Sequence, residues 1–232
     1  MVANRTDDTP GIIGATEMVD FAGDSVCLSG QIDYPETSRP PNGYPLIFII
    51  QHGTSTSRAD YAHITSTGMS IGAAVFRWDK RGTGHSGNGS NGSIEVDTLK
   101  AYAFAAKLPG IDRSRIIIFA QSEGTLILGQ EYQQFSSVQQ AAGVILAGNM
   151  LDEKAIIAID VPVHIVVSKN DWNDWRTYAE KASDAHAEKY GYESSFYVAT
   201  NTNRMLMYSS GTTFHKGTET SIKHWLKHIC QI

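Results

Sequence analysis

Along the 232-residue chain, apolar residues gather in short dense runs separated by stretches with helical or turn character. Leu46-Ile47-Phe48-Ile49-Ile50 and Ile116-Ile117-Ile118-Phe119-Ala120 are unbroken, the pattern of strands buried on both faces. Ala73 to Trp78, Gly143 to Ala147 and Val163 to Val167 are further runs of this kind, and Arg204 to Tyr208 is expected to be the last strand. The intervening segments Arg58 to Met69, Val96 to Leu108, Ser122 to about Phe135, Asp152 to Ala158 and Trp175 to Tyr190 read as helices, and Thr218 to Ile229 as a closing one. Ahead of all these, Glu17 to Phe21 and Ser25 to Asp33 flank Gly23-Asp24 and predict an antiparallel pair.

Strands alternating with helices predict parallel neighbours, because each return to the same end of the sheet needs a crossover. The expectation is an α/β fold, 1–232 as one domain. It has a mostly parallel eight-stranded sheet, an antiparallel N-terminal strand and helices on both faces. Ligands of such sheets bind beyond the carboxyl ends of the strands, which directs attention to the residues that follow each run.

Two glycine-containing motifs occupy such positions. Gly82-Thr83-Gly84-His85-Ser86-Gly87 matches the GxGxxG of dinucleotide sites. That chemistry needs a helix opening at the glycines so that its N-terminus meets a pyrophosphate. Here Asn88-Gly89-Ser90-Asn91-Gly92-Ser93 follows instead, which is loop chemistry. The second motif, Ala120-Gln121-Ser122-Glu123-Gly124, joins an apolar strand to a helix-compatible run, the context of a nucleophile elbow. A sharp turn there requires small residues two before and two after the serine, and Ala120 and Gly124 meet that need. The competing role for Ser122 is a helix-capping hydroxyl.

A nucleophilic serine needs a base and the base an orienting acid, in the chain order Ser, Asp or Glu, His. Asp171 follows the strand Val163 to Val167 and is the chosen acid. Asp174 is the rival, at a position that suits a helix cap. His215 follows the last expected strand and precedes the closing helix, so it is the chosen base. His224 and His228 are four apart but lack the glutamate of a zinc-protease motif, so an exposed helix face is expected there. His164 and His186 fall inside elements and are expected to be structural; His63 and His85 stay open as pocket residues.

With His52-Gly53 after one buried strand, Asp79-Lys80-Arg81-Gly82-Thr83-Gly84-His85-Ser86 after the next, the Ser122 elbow, Asp171 and His215, nearly the whole chain resembles the α/β-hydrolase superfamily. It looks most similar to small bacterial esterases and to serine-aminopeptidase-like and prolyl-oligopeptidase-like hydrolase domains. The resemblance implies that the DxRGxGxS stretch is a structural loop. It also implies an oxyanion hole formed by the backbone N–H groups of Glu123 and of Thr54, with Ser55 the alternative to Thr54. Ala120, where a glycine is usual, is the departure from pattern.

The implied activity is hydrolysis of a small or short-chain carboxylic ester through an acyl-enzyme, with a small-molecule acyl substrate and no metal or organic cofactor. The same triad could cut a peptide, amide or thioester, and a non-catalytic binding protein could keep the same fold. The interval from Ala147 to Pro162, where relatives carry their lid, is too short to supply much cover. Composition bounds the rest. With 41% hydrophobic and 19% charged residues the chain can bury a sizeable core. No run approaches the ~20 apolar residues of a membrane span, and Met1 to Gly14 has no signal-like core, so a cytoplasmic protein is expected. A net charge of −5 without a basic cluster argues against a nucleic-acid partner. Cys27 and Cys230 share no ligand spacing and are expected to be two buried thiols.

Overall fold

The computed structural model describes residues 11–53, 55–171, 175–193 and 195–232. Their eight strands are β1 (Ile13–Ala22), β2 (Cys27–Pro35), β3 (Tyr44–Ile50), β4 (Ala74–Trp78), β5 (Ile111–Gln121), β6 (Gly143–Ala147), β7 (Val163–Ser168) and β8 (Phe196–Ala199). They form one sheet in the order β1-β2-β4-β3-β5-β6-β7-β8. β1 and β2 pair antiparallel, as do β2 and β4, and every later pairing is parallel. The expected α/β sheet with an antiparallel start is therefore what the chain forms.

The helices are α1 (Ala62–Ser70), preceded by a 3-10 turn at Arg58–Tyr61, then α2 (Ile94–Ala105), α3 (Glu123–Val138), α4 (Glu153–Ile157), α5 (Trp175–Tyr190) and α6 (Lys216–Cys230). They divide the core in two. Leu46, Phe48, Ile50, Ile116 and Ile118 face Tyr102 of α2, Leu128 and Phe135 of α3, and Ala182 of α5. Ile47, Ile49, Ile117 and Phe119 face Ile64 of α1 and Ile222, Trp225 and Leu226 of α6. Successive side chains of a strand point to opposite faces, so a strand covered by helices on both sides reads as an unbroken apolar run. Each such buried aliphatic or aromatic side chain contributes roughly 1.5–3 kcal/mol relative to exposure.

Two expectations are corrected here. The last strand is Phe196–Ala199, whose register with β7 runs from Ile165↔Phe196 to Ser168↔Ala199. Arg204 to Tyr208 is instead a loop, held by isolated bridges between Thr202 and Tyr208 and between Met207 and Phe214. The chain reaches the open edge of β7 five residues after Gly191, directly on leaving α5, so the first β-compatible segment fills the edge. Cys27 is exposed rather than buried, while Cys230 is buried and both are free thiols; burial pushes the Cys230 thiol up to about 12. Between β6 and β7 stands only the five-residue α4, in keeping with a minimal lid. Among the described residues no helix is long and apolar enough to cross a membrane.

Candidate active site

β5 lies near the middle of the sheet between β3 and β6, and Ser122 is the residue after it. Ser122 has φ 52° and ψ −118°, a conformation that costs a non-glycine residue roughly 1–3 kcal/mol. The turn is held from several sides. Ser122 N–H donates to the Ala147 carbonyl at 2.8 Å, while the Thr125 N–H and hydroxyl both donate to the Ser122 carbonyl at 2.9 and 2.6 Å. The Thr125 hydroxyl in turn accepts from Met150 N–H at 3.1 Å. A Cβ on Gly124 would lie 2.5 Å from the Ile50 carbonyl oxygen and 2.7 Å from that of Gln51, so the turn needs a glycine there. Ala120 is fully buried between its partners Ile50 and Leu146. Ser122 does not cap α3 through its side chain, which removes the competing role.

Asp171 lies three residues past β7, its N–H donating to the Ser168 carbonyl, with a side chain only 2% exposed. His215 sits at the mouth of α6, nearly buried, its ring against Tyr208 with centroids 4.9 Å apart. These three residues thus follow β5, follow β7 and precede α6, as expected. The structure does not hydrogen-bond them to one another. His215 Nδ1 accepts the Thr218 N–H at 3.1 Å, capping α6, and lies 3.1 Å from the Thr218 hydroxyl. An Nδ1 that accepts carries no proton, so the neutral ring in this cap bears its hydrogen on Nε2.

The group that does join Ser122 to Asp171 is Arg204. Its Nε donates to Ser122 Oγ at 3.2 Å, its Nη1 to Asp171 Oδ1 at 2.8 Å, and its Nη2 to the Gly148 carbonyl at 3.4 Å. Asp171 Oδ2 is buried and has no hydrogen-bond partner among the described residues. Arg204 escaped the sequence reading because Arg-Met-Leu-Met-Tyr has the composition of a strand. The loop it belongs to is tied to the elbow by Gln121, whose amide donates to the Met205 carbonyl at 3.2 Å. Met150 completes the surroundings of Ser122, its sulfur 3.8 Å from Oγ.

Glu123 is the first residue of α3, so its N–H belongs to the set with no intrahelical acceptor and is available to an oxyanion. Thr54 and Asp174 lie outside the described residues; Ser55 is exposed. The segment before Thr54 is anchored firmly. His52 N–H donates to the Tyr61 hydroxyl at 2.7 Å, and the His52 carbonyl accepts from Lys80 Nζ at 2.7 Å and the Thr56 hydroxyl at 3.2 Å. Burial, then the Lys80 ammonium, lower the pKa of the His52 ring.

The glycine-rich stretch after β4 is a structural loop. Asp79 accepts from the N–H groups of Arg58 and His85 at 2.8 and 2.9 Å and pairs with the Arg58 guanidinium at 3.2 Å. The Ser86 hydroxyl donates to the Asp79 carbonyl at 2.6 Å, and the next helix begins only at Ile94. No helix opens on these glycines, so the dinucleotide match is incidental.

The remaining histidines sort by environment. His186 contacts the Ile159 carbonyl, and His164 lies between the Ser195 and Ser221 hydroxyls at 2.8 and 3.1 Å, both structural. His224 and His228 are exposed on α6. His63 packs on Phe214, the neighbour of His215, with centroids 4.6 Å apart, and burial lowers its pKa to about 4. Among the described residues no group of three or more His, Cys, Asp or Glu is placed to hold a metal. A cleft of about 790 Å³ lies between β8 and α6, lined by His164, Tyr197, Ser221 and Trp225. It has no strained nucleophile, and the strained serine rather than cleft size marks the site.

No family model matches the sequence, and no curated protein matches it. Solved structures do. A bacterial heroin esterase superposes with a TM-score of 0.68 at 16% identity, over 99% of this chain and 86% of that one. An esterase from the hyperthermophilic archaeon Pyrobaculum calidifontis gives 0.69 at 12% identity, over 95% and 84%. An α/β serine hydrolase without a lid, from Xanthomonas campestris, gives 0.61 at 12% identity, over 96% and 97%. The chain has the α/β-hydrolase fold.

Proposed function

We propose that this protein is a serine hydrolase of small carboxylic esters, acting on a soluble acyl substrate in the cytoplasm. Ser122 is the nucleophile, His215 the base, Asp171 its orienting acid, and the N–H groups of Glu123 and Thr54 form the oxyanion hole. The observation that carries the reading is the strained, non-capping Ser122 between β5 and α3. A serine held at positive φ with its hydroxyl withheld from the helix is one whose side chain has been set aside for another use.

In the reaction, His215 Nε2 takes the Ser122 proton as Oγ attacks the acyl carbon, and the carbonyl electron pair moves onto the oxygen facing the two N–H groups. Collapse expels the alcohol, which leaves with the proton from His215, and the acyl-enzyme remains. Water repeats the sequence, giving its proton to His215 and releasing the acid and Ser122. This needs Nδ1–H directed to Asp171 and a bare Nε2, the opposite tautomer to the one the α6 cap holds. His215 must therefore turn out of its cap, and the buried, unpartnered Oδ2 of Asp171 is the acceptor left for it.

That same resting arrangement favours one other reading, a non-catalytic protein in which Arg204 has replaced the imidazole between Ser122 and Asp171. A fluorophosphonate decides between them. The expected result is an adduct on the peptide containing Ser122, together with turnover of p-nitrophenyl acetate. An adduct elsewhere, or none, overturns the hydrolase assignment. Parallel assays on amides and thioesters define the bond type.

A further inference from the structure

Resting on the assignment of Ser122 as nucleophile, we propose that Arg204 selects substrates bearing a carboxylate close to the scissile acyl carbon. Arg204 is a specificity determinant that releases the nucleophile more readily when an anion takes its place.

Ser122 Oγ accepts a hydrogen bond from Arg204 Nε at 3.2 Å, so a lone pair needed for attack is directed at a cation. A guanidinium keeps its protons at every ordinary pH, so deprotonation cannot lift this bond. A better acceptor can. Arg204 is already a charged donor to the hydroxyl, and a carboxylate adds the attraction of opposite charges, so it displaces Ser122 Oγ from Nε more readily than an ester or amide oxygen does.

The surroundings keep Arg204 in place while this happens. Nη1 is bound to Asp171 Oδ1 at 2.8 Å and Nη2 to the Gly148 carbonyl at 3.4 Å, both independent of Ser122. Asp171 Oδ2, buried without a partner among the described residues, can receive His215 while Oδ1 stays on Arg204. Arg204 and Asp171 cancel in charge. Attack creates no net charge, since imidazolium and tetrahedral oxyanion form together, so the preference for an anion arises where it binds, at Nε. With Nη1 and Nη2 held, Nε is the donor that a substrate carboxylate takes over from Ser122.

The test compares two near-isosteric esters, monomethyl succinate and methyl succinamate, by kcat/KM, with fluorophosphonate labelling run on the same preparation. The wild-type protein is expected to prefer the anion by about tenfold, from the added attraction of opposite charges at Nε. Arg204→Gln is expected to bring the ratio to about one, and Arg204→Lys, which keeps the charge without the fork, to an intermediate value. A wild-type preference of about threefold or less overturns the proposal, as does a ratio that Arg204→Gln leaves unchanged. An equal fall of both substrates in Arg204→Gln also overturns it, since that marks a general role at the nucleophile. If the variants fail to fold, the wild-type ratio decides alone. Labelling separates the two levels: no adduct on Ser122 removes the serine hydrolase reading itself, whereas an adduct with a flat ratio removes only the role of Arg204.

Discussion

The two halves of the candidate site are built by different means. On the β5 side, Ser122 is positioned by backbone: a strained φ, the Ile50 and Gln51 carbonyls close to Gly124, and N–H and C=O bonds to Ala147 and Thr125. On the side of β7 and α6, everything depends on side chains. Asp171 is held by Arg204 and His215 by Thr218. A backbone-built element has one arrangement, because moving it would break a strand and a helix together. A side-chain-built element can exchange partners by turning a few torsions. Under the proposed function, the rigid half presents Ser122 permanently and the adaptable half decides when it reacts.

The comparison can be broken most severely at Ser122. Ser122→Ala should lower kcat by ~10⁴-fold or more while leaving the unfolding midpoint nearly unchanged, because the hydroxyl makes no helix cap. Residual turnover within about tenfold of wild type would show that another group attacks. On the adaptable side, Asp171→Asn should also cost ~10⁴ in kcat, since an amide no longer holds the working imidazole tautomer. Steady-state kinetics that showed a loss of only a few-fold would pass the role of acid to another carboxylate.

Smaller effects sharpen the contrast. Burial lowers the His164 pKa to about 4, against about 6.5 in an unfolded chain. The unfolded state then takes up the proton first, so stability is full above pH ~6.5 and declines as pH falls toward 4, by at most about 3 kcal/mol. Urea midpoints at pH 7 and pH 4.5 should show this fall together with that from His63, and His164→Gln should reduce it without removing it. Gly124→Ala should cost about 1–3 kcal/mol, as its methyl meets the Ile50 and Gln51 carbonyls. A neutral outcome in thermal unfolding would mean that the elbow yields more easily than its hydrogen bonds imply. Smallest is the acyl-length series. With only α4 between β6 and β7 to cover the site, long chains gain only part of the ~0.8 kcal/mol per buried methylene. p-Nitrophenyl acetate or butyrate should therefore exceed the long-chain esters in kcat/KM, and a steady rise to twelve carbons would reveal an acyl tunnel.

From sequence alone, the runs Leu46–Ile50 and Ile116–Ala120 determined the central strands, because burial on both faces leaves no position for a polar residue. Ala120 and Gly124 around Ser122 determined the elbow, because a sharp strand-to-helix turn admits only small neighbours. Ser122 and Asp171 follow the ends of apolar strands, whereas the run before His215, Arg204–Tyr208, is a loop. Only the tertiary structure decided that Phe196–Ala199 rather than Arg204–Tyr208 takes the edge of β7. Both segments are β-compatible, and the choice depends on which one the chain brings to the open edge first. For the same reason only the structure could place Arg204 against Ser122 and Asp171 and turn His215 into the α6 cap. Those contacts join residues 33 and 82 positions apart through side-chain torsions, which no local pattern encodes.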